Sequence, residues 1–329
     1  MYSYKAELEA VQVAHEYSQL EYPKVELALH SISDANIDLT TWVLEYPRYI
    51  HAEFMTHRVF SRNASSSRAI PVKKIIERVW NDPVIPISWG GNKPGMQAGA
   101  ELQGMDKVIA RKLWIAASRI ACTIAKGLVK VNLHKQIANR ILEPFSYIKV
   151  IMTTTELENW FDLRYHPDAQ PEIQELARRM FRVIEFSTPK LLVPGQWHLP
   201  FVKPEELIEY ELETCKKICS ARNARVSYLN HDGSNPNVQK DIGLHDDLVS
   251  SKPIHASPTE HPATPDTFTI DREGNIIWDN PHLHGNFVGW IQYRKQIEAK
   301  LWGAKRSRKS LKQIIAENIN ATAQSKYTR

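Results

Sequence analysis

Several short, largely apolar stretches of the chain are rich in β-branched and aromatic residues, a pattern typical of strands. These stretches run from Val25 to Ile32, from Thr41 to Tyr46 and from Phe145 to Thr155. The proline after Tyr46 ends the second stretch, because proline has no N–H to donate to a sheet. Thr267 to Trp278 predicts a hairpin with its turn at Gly274. Together these stretches predict a small, mainly antiparallel sheet.

Elsewhere the apolar residues recur at helical spacing. The predicted helices are Lys5 to Leu20, Lys73 to Val79, Gln97 to Val131 (one helix or two), Glu156 to Arg164, Glu172 to Phe186, Glu205 to Val226 and Asp241 to Ser250. Turn-forming residues predict loops from Ser88 to Gly95 and from Asn230 to Asn237. The fold class expected is α/β, of the α+β type, with helices packed on the sheet and a long central helix pair.

The character of the sequence changes near Pro200, which we take as the boundary between two parts. Residues 1–200 would form the core that carries the main motifs. Residues 201–329 would complete that core and end in a basic tail. The tail's basic residues are Lys305, Arg306, Arg308, Lys309 and Lys312. A run of this kind is typical of a solvated surface, and contact with nucleic acid is the alternative.

Composition excludes several classes of protein. The 329 residues are 43% hydrophobic and include 9 Trp, 12 Tyr and 9 Phe, which is too much apolar material for a disordered chain. The sequence contains no apolar stretch of about 18 residues, the length that crosses a bilayer. Met1 to Glu21 carries four glutamates and no apolar signal core, and three cysteines do not make a disulfide framework, so we expect a cytosolic protein.

A basic and hydroxyl-rich segment is the first candidate for chemistry. His57, Arg58 and Arg62 lie among Ser61, Asn63 and Ser65, and Arg68 follows Ser66 and Ser67. Small hydroxyl residues let the backbone approach an anion, and an arginine can hold a phosphate with two parallel hydrogen bonds. The segment is therefore a candidate oxyanion cradle, and a polar surface loop is the alternative. The net charge of +5 fits a small anionic ligand better than a nucleic acid.

Two further groups are weaker candidates. On a helix from Glu156, residues Glu156, Asn159 and Trp160 share a face, and Arg164 lies one turn further. Asn159 and Arg164 could hold a flat heterocycle, or the arginine could interact only with the helix dipole. His255 and His261 flank Ser-Pro-Thr-Glu, but no third ligand is evident, so no metal site is predicted.

The motifs resemble those of the flavin-dependent thymidylate synthase family. The signature of that family reads Arg-His-Arg, two residues, Ser, one residue, Asn-Glu, one residue, Ser, one residue, Arg. The matching positions here are His57, Arg58, Ser61, Asn63, Ser66 and Arg68, whereas Thr56 and Ala64 replace the first Arg and the Glu, and Glu53 stands where an upstream Gln is usual. Pro47, Arg140 with Pro144, Asn159 with Leu163 and Arg164, and Ala169 to Ile173 follow the family order.

Two other family segments are present but out of order. Ala224 to Tyr228 and His255 to His261 resemble segments that precede the signature in the family, yet here they follow it. We therefore hypothesise a divergent, rearranged or circularly permuted, phage-like member. Gln292 and Lys295 have the spacing of the family's Gln and first Arg, and would restore what Glu53 and Thr56 cannot do.

The resemblance implies an enzyme that methylates C5 of a uridine monophosphate, dUMP to dTMP. It would use bound FAD, with methylenetetrahydrofolate as carbon donor and NADPH as reductant. The implied catalytic residues are Arg164, which stabilises negative charge on the ring, and Ser66, argued to be a nucleophile in the family, although we favour a binding role. The implied substrate-binding residues are Ser66, Ser67, Arg68, Arg140, Arg164, Gln292 and Lys295. The implied cofactor-binding residues are His57, Arg58, Asn63, Asn159, His255, Ser257 and Glu260.

The departures from the signature leave the substrate open. UMP or dCMP is an alternative to dUMP, since Glu53 could pair with the exocyclic amine of cytosine, and so is transfer of a hydroxymethyl group for modified-base synthesis. An altered relative without thymidylate synthesis, or a non-catalytic nucleic-acid-binding protein, are further alternatives. The family forms homotetramers with shared sites, so we expect a homo-oligomer, either a tetramer or a dimer. A phage-encoded enzyme would act in the cytoplasm of the host cell.

Overall fold

A five-stranded sheet with two small hairpin-like pairings forms the frame of the molecule. The computed structural model describes residues 21–226, 237–251 and 254–302. The predicted helix Lys5 to Leu20, nearly all of the loop Asn230 to Asn237 and the basic residues of the tail lie outside the described residues. The strand order of the main sheet is β3-β4-β2-β1-β5, antiparallel except where β5 pairs with β1. This arrangement confirms the predicted α/β class with a small, mainly antiparallel sheet.

The strands are β1 (Lys24–Ser33), β2 (Asp38–Pro47), β3 (Ser61–Ala64), β4 (Tyr147–Thr154), β5 (Lys190–Leu192), β6 (Ala263–Pro265), β7 (Phe268–Ile270), β8 (Ile276–Trp278) and β9 (Trp290–Gln292). The helices are α1 (His51–Phe54), α2 (Val72–Asn81), α3 (Gly104–Lys130), α4 (Lys135–Ala138), α5 (Glu158–Arg164), α6 (Pro171–Glu185), α7 (Pro204–Glu209), α8 (Leu212–Arg225), α9 (Val238–Ser250) and α10 (Tyr293–Trp302). Short 3-10 helices are Arg48–Ile50, Asn139–Phe145, Ser257–Glu260 and Pro281–Leu283.

One face of the sheet carries the main hydrophobic core. Because successive strand residues point to opposite faces, Trp42, Leu44 and Tyr46 of β2 lie on the same side as Ile148, Val150 and Met152 of β4. Helix α6 packs on this side through Ile173, Leu176, Ala177 and Met180, and Phe54, Phe60 and Trp160 close the cluster. Trp160 therefore ties α5 to the segment that follows α1.

The other face of the sheet is covered by the C-terminal part of the chain. Val43 and Ile151 pack there against Val226, which follows α8. Polar neighbours on the same face form a buried chain of hydrogen bonds, in which Thr41 and Thr153 bond each other at 2.7 Å. His198 bonds Thr41 at 2.8 Å and His261 bonds Thr153 at 2.8 Å. Residues after 200 therefore contribute to the same core as residues 1–200.

The long helix α3 packs on α2 in a separate cluster, where Ile76 and Val79 meet Ala121 and Cys122.

No helix in the described part of the chain is long and apolar enough to span a bilayer.

Three predicted boundaries needed correction. The long helix begins at Gly104, not at Gln97, because Gly104 has a positive φ of 54° and residues 90–101 close a loop on themselves. Helix Glu205 to Val226 is two helices, since Tyr210 and Glu211 are extended. Helix α5 begins at Glu158, so Glu156 lies before it and accepts at its carbonyl from Thr154. The remaining described helices and the hairpin β7–β8 are confirmed within a few residues.

Candidate functional site

Residues 47–68 carry most of the matched signature. Their backbone makes a tight turn that is held by hydrogen bonds from Arg62. Helix α1 makes one turn, and Arg62 then donates to the carbonyl oxygens of His57 at 3.0 Å and Phe54 at 3.4 Å. The same two carbonyls also accept backbone bonds, from the N–H of Phe60 at 3.4 Å and of His57 at 3.3 Å, so Arg62 reinforces the turn. The chain then enters β3, which pairs with β4 from Ser61 to Ala64. The polar run that the sequence indicated is therefore a strand followed by a turn.

The guanidinium of Arg164 lies against the first half of this segment. It donates from Nε to Nε2 of His57 at 3.0 Å, and from Nη2 to the hydroxyl of Thr56 at 3.1 Å. Its Nη1 lies 3.5 Å from a carboxylate oxygen of Glu53. Two of the three departures from the family pattern, Glu53 and Thr56, are thus contacts of Arg164, and the third is Ala64. Arg164 itself is mostly buried, with 19% of its side chain exposed.

His57 is held as a neutral imidazole. Burial and the positive charges of Arg164 and Arg62 lower the pKa of His57 to about 4. Since Arg164 donates to Nε2, the imidazole proton must sit on Nδ1. The ring packs edge-on against Trp160, with centroids 4.9 Å apart. Arg164 is therefore positioned by a ring that is itself fixed in the core.

The hydroxyl-rich turn lies at the other end of the segment. Ser66 is exposed, and its hydroxyl accepts from the backbone N–H of Arg68 at 3.3 Å. Ser67 is 4% exposed and donates to a carboxylate oxygen of Glu143 at 2.6 Å. Arg140 donates to the same oxygen at 3.0 Å. The predicted phosphate-binding residues Ser67 and Arg140 are therefore joined through one carboxylate.

Arg164 and the hydroxyl turn contact opposite ends of residues 53–68. Arg164 contacts Glu53, Thr56 and His57, whereas Ser66 to Arg68 lie next to Glu143 and Asn139. Asn139 is fully buried and donates to the carbonyl oxygen of Ser67 at 2.6 Å.

The out-of-order segments pack on the signature strand. Asn63 of β3 donates to the carbonyl oxygen of Asn223, one residue before the segment Ala224 to Tyr228. Gln292, which is 2% exposed, donates to the hydroxyl of Ser61 at 3.2 Å. Lys295 bonds Glu298 at 3.1 Å. Segments that are far apart in the sequence therefore meet at β3. Gln292 contacts Ser61, whereas Glu53, which it was expected to replace, contacts Arg164.

A cavity of about 340 Å³ lies between the signature segment and the 3-10 helix Ser257–Glu260. Its lining includes Arg58, Arg62, Ser257, Glu260 and Asn286. The carboxylate of Glu260 also pairs with Arg294. Three of the predicted cofactor-binding residues, Arg58, Ser257 and Glu260, thus share one cavity.

The other predicted cofactor residues are placed differently. His57 and Asn63 are buried, and Asn159 and His255 are exposed at the surface. Two residues that line cavities had not been singled out from the sequence, namely His51 and Arg48. Both lie in the basic stretch after Pro47, and their polar character among apolar neighbours was the available signal.

The cysteines lie in the core. Cys122, Cys215 and Cys219 are each at most 1% exposed, and burial raises the pKa of all three thiols. A thiol in such surroundings is a poor nucleophile. His261 is engaged with Thr153, and no group of three or more His, Cys, Asp or Glu side chains in the described ranges is arranged to hold a metal ion.

Comparison with solved structures gives two similar chains of the UMP/dUMP methylase PolB from Streptomyces cacaoi. The chain bound with 5-Br UMP is 17% identical, with a TM-score of 0.42 over 50% of this chain and 89% of that chain. The chain bound with 5-Br dUMP is 18% identical, with a TM-score of 0.41 over 50% and 90%. No curated protein matches the sequence.

The family comparison covers the part of the chain that holds the sheet and the signature. Residues 36–190 match the model described as thymidylate synthase complementing protein, which is the flavin-dependent thymidylate synthase family. The match includes β2, β3, β4, α5 and α6, and therefore His57, the hydroxyl turn, Arg140 and Arg164. Residues 36–190, a little under half of the chain, are thus similar to the flavin-dependent thymidylate synthase family of methyltransferases.

Proposed function

We propose that this chain methylates C5 of a pyrimidine nucleoside monophosphate, converting dUMP to dTMP, with FAD, methylenetetrahydrofolate and NADPH. The observation that carries the proposal is the cavity between the signature segment and Ser257–Glu260, where residues about 200 positions apart converge. A polar loop on the surface would not be expected to form a cavity together with a second, distant segment of the chain. The family match supports nucleotide methylation at the coarse level.

The residues of this cavity suit a flavin nucleotide. Arg58 offers a charged donor for a phosphate, and Ser257 and Glu260 offer a hydroxyl and a carboxylate for sugar hydroxyls. Asn63 is buried beside them on β3. A volume of about 340 Å³ suits one part of a dinucleotide, so other residues, with Asn159 and His255 proposed among them, would hold the rest. When bound, FAD would supply the hydride that completes the methyl group.

Arg164 is proposed to hold the pyrimidine ring. Electron density at C5 rises when negative charge on N3 and O2 is stabilised, and a guanidinium next to the ring provides that stabilisation. The neutral His57 accepts from Nε and so orients the guanidinium without adding a competing charge. His57 is a positioning residue in this proposal.

The hydroxyl turn is proposed to bind the phosphate of the nucleotide. Ser66, Ser67 and Arg68 offer two hydroxyls and a guanidinium, and Arg140 adds a second positive group. Ser66 is exposed, and its hydroxyl accepts from the backbone N–H of Arg68. No basic side chain is bonded to it among the described residues, so we assign Ser66 to binding.

A second candidate substrate is a cytosine nucleotide. Glu53 presents a carboxylate that is 40% exposed, 3.5 Å from Arg164. A carboxylate accepts readily from the exocyclic amine of cytosine, whereas the same position in the family is usually a neutral Gln. Methylation assays with dUMP, UMP and dCMP separate the two candidates.

A homo-oligomer is also proposed. The outward face of α3 exposes an apolar row made up of Met105, Ile109, Leu113, Ile120, Ile124 and the following Val131. A row of this length is costly in water, and a second copy of the chain would cover it. Shared sites would let Arg164 of one copy approach the hydroxyl turn of another. The mass of the particle in solution tests this part.

The test of the proposed activity is the mass of the nucleotide after incubation with methylenetetrahydrofolate and NADPH. Purified protein with bound flavin should convert dUMP to a product heavier by one methylene unit. A protein that leaves dUMP, UMP and dCMP unchanged even when FAD is added would refute the proposal.

A further inference from the structure

A cluster of two guanidiniums, one hydroxyl and one carboxylate lies beside the hydroxyl turn. Glu143 accepts from Ser67 at 2.6 Å and from Arg140 at 3.0 Å, and Arg48 Nη1 lies 3.9 Å away. Arg140 is largely exposed, whereas the side chain of Arg48 is only 16% exposed. Three groups of donors therefore converge on a single carboxylate.

Arg48 is a buried cation with little compensation. Its Nη2 donates to the carbonyl oxygen of Ser65 at 3.2 Å. Its Nε is buried and has no hydrogen-bond partner among the described residues. Burial lowers the pKa of Arg48, and the nearby charge of Arg140 acts in the same direction. One distant carboxylate does not balance two guanidiniums, so the cluster has unused capacity for negative charge.

Three members of the cluster, Arg48, Ser67 and Glu143, line a cavity of about 570 Å³, whereas Arg140 is not part of its lining. Arg48, Ser67, Asn139 and Glu143 lie on its wall, and Oδ1 of the fully buried Asn139 has no partner among the described residues. Helix α2 adds Lys74 and Arg78 to the lining. The acidic groups of the same cavity are Glu45, Glu77 and Asp82 besides Glu143, and Glu45 and Asp82 both act electrostatically on Tyr22. A cavity with unpaired donors and acceptors is suited to a polar ligand.

The side chain of Glu143 has a route to solvent. Glu143 lies within the 3-10 helix Asn139–Phe145, directly before Pro144, and 23% of its side chain is exposed. A carboxylate and a phosphate take the same kinds of donor, an arginine fork and a hydroxyl. A phosphate in the place of the carboxylate would meet Ser67, Arg140 and Arg48 with no other change of partner.

We infer that Arg48 is a further substrate-binding residue, and that the Glu143 carboxylate occupies the position of a phosphomonoester and is displaced when a nucleotide binds. This inference rests on the proposed function, because it identifies the ligand as a nucleoside monophosphate. Arg48 would hold the phosphate with Ser67 and Arg140, and Glu143 would compete with it. This competition between Glu143 and the phosphate changes the affinity for the phosphate group and does not alter the contacts with the base.

The experiment measures the affinity of the full-length protein for dUMP and for deoxyuridine by calorimetry, in four forms. These are wild type, Arg48→Gln, Glu143→Gln and, as a control for net charge, Arg182→Gln on the exposed side of α6. Loss of a charged contact should weaken dUMP binding by about tenfold or more in Arg48→Gln and leave deoxyuridine unchanged. Glu143→Gln keeps an acceptor for Ser67 but removes the competing charge, so it should tighten dUMP by about threefold to tenfold.

Opposite effects of the two substitutions are the decisive outcome. If Glu143 were only structural, Glu143→Gln would leave dUMP binding unchanged or weaken it, and the inference would be wrong. If Arg48→Gln weakened dUMP and deoxyuridine equally, Arg48 would not contact the phosphate, and the inference would again be wrong. Failure of wild type to bind dUMP, UMP or dCMP at all would instead overturn the proposed function.

Discussion

Nε of Arg164 donates a hydrogen bond to Nε2 of His57 across 3.0 Å, which ties the end of α5 to the signature segment. This bond exists only while Nε2 is unprotonated, so the orientation of Arg164 depends on the charge of His57. Thr56 and Glu53, the two departures beside it, bond the other nitrogens of the same guanidinium. The substitutions therefore change what surrounds Arg164 and leave Arg164 in place.

Arg164→Ala should lower kcat/KM by about 10²–10³-fold, the effect of removing one group that stabilises charge in a transition state. The side chain lies at the edge of the core, so the melting temperature should change little. Steady-state kinetics and thermal unfolding check the two parts. Glu53→Gln is the matched control, because it keeps an acceptor for Arg164. An Arg164→Ala enzyme with full activity would show that the ring is held elsewhere.

Acid should destabilise the folded chain well above the pH at which carboxylates titrate. Burial lowers the pKa of His51 and His57 to about 4, and that of His198 and His261 to about 3, from an ordinary value of 6.5. The unfolded chain therefore binds more protons than the native chain as the pH falls from about 6.5 toward 4, and the free energy of unfolding must decrease over that range. Above pH 6.5 these histidines are neutral in both the folded and the unfolded chain, so this loss of unfolding free energy does not occur there.

Urea unfolding at pH 7.5, 6.0 and 5.0 measures this effect. We expect a progressive decrease in the free energy of unfolding between the first and last pH. A free energy that stays level, or increases toward pH 5.0, would contradict the neutral state assigned to these four histidines.

Arg222 should be the most sensitive charged residue outside the site. It is fully buried and bonds Glu206 at 2.6 Å and Asp241 at 3.1 Å, which joins α7, α8 and α9. Arg222→Met takes the guanidinium away from the buried Glu206 carboxylate and leaves Asp241 paired with Arg225, and should cost about 3–5 kcal/mol of unfolding free energy. Lys24→Met, which breaks an exposed pair with Glu21, should cost at most about 1 kcal/mol. Equal losses of unfolding free energy in the two variants would show that the buried ion pairs contribute no more to stability than the exposed pair.

FAD binding should depend on Arg58. This residue is exposed on the wall of the cavity of about 340 Å³ and has no structural partner to lose among the described residues. Arg58→Gln should weaken FAD by about tenfold, the effect of one charged contact to a phosphate, with an unchanged melting temperature of the flavin-free protein. Flavin fluorescence during titration gives the affinity, and Arg182→Gln serves as the control. Unchanged affinity in Arg58→Gln would place the flavin outside this cavity.

The C-terminal third should be required for folding of the first part. A chain that ends at Pro200 loses Val226, which covers Val43 and Ile151, and loses His261, the partner of Thr153. Exposed apolar surface and an unpaired buried hydroxyl should abolish cooperative unfolding. Addition of residues 201–329 as a separate chain should restore it. Cooperative unfolding of residues 1–200 alone would show that this part is an independent domain.

Much of the fold could be predicted from local pattern alone. Strands β2 and β4 carry dense β-branched and aromatic residues, and their burial follows directly from that composition. Strand β3 reads Ser-Arg-Asn-Ala, which has no strand pattern, and it forms because β4 offers an edge for pairing. At the break between α7 and α8, Arg222 of α8 folds back to bond Glu206 of α7, a tertiary contact that the spacing of apolar residues does not reveal.

The sequence predicted which residues belong to the candidate site, but it did not predict how their side chains are arranged or which partners they bond. The pattern singled out Ser66 and Ser67 together, yet one is exposed and the other is bonded to Glu143. The order of motifs suggested that the C-terminal third completes the core, and Gln292 does contact Ser61. Contacts between residues about 100 or more positions apart, such as Arg164 with His57, depend on tertiary packing that a single sequence does not specify.

The most direct test of the account is the mass of dUMP after incubation with flavin-loaded protein, methylenetetrahydrofolate and NADPH, in wild type and in Arg164→Ala. The account predicts a product heavier by one methylene unit in wild type, and at least about 10²-fold less of it at the same enzyme concentration and time in the variant. A product formed equally by both proteins, or by neither with any of dUMP, UMP and dCMP, would contradict it.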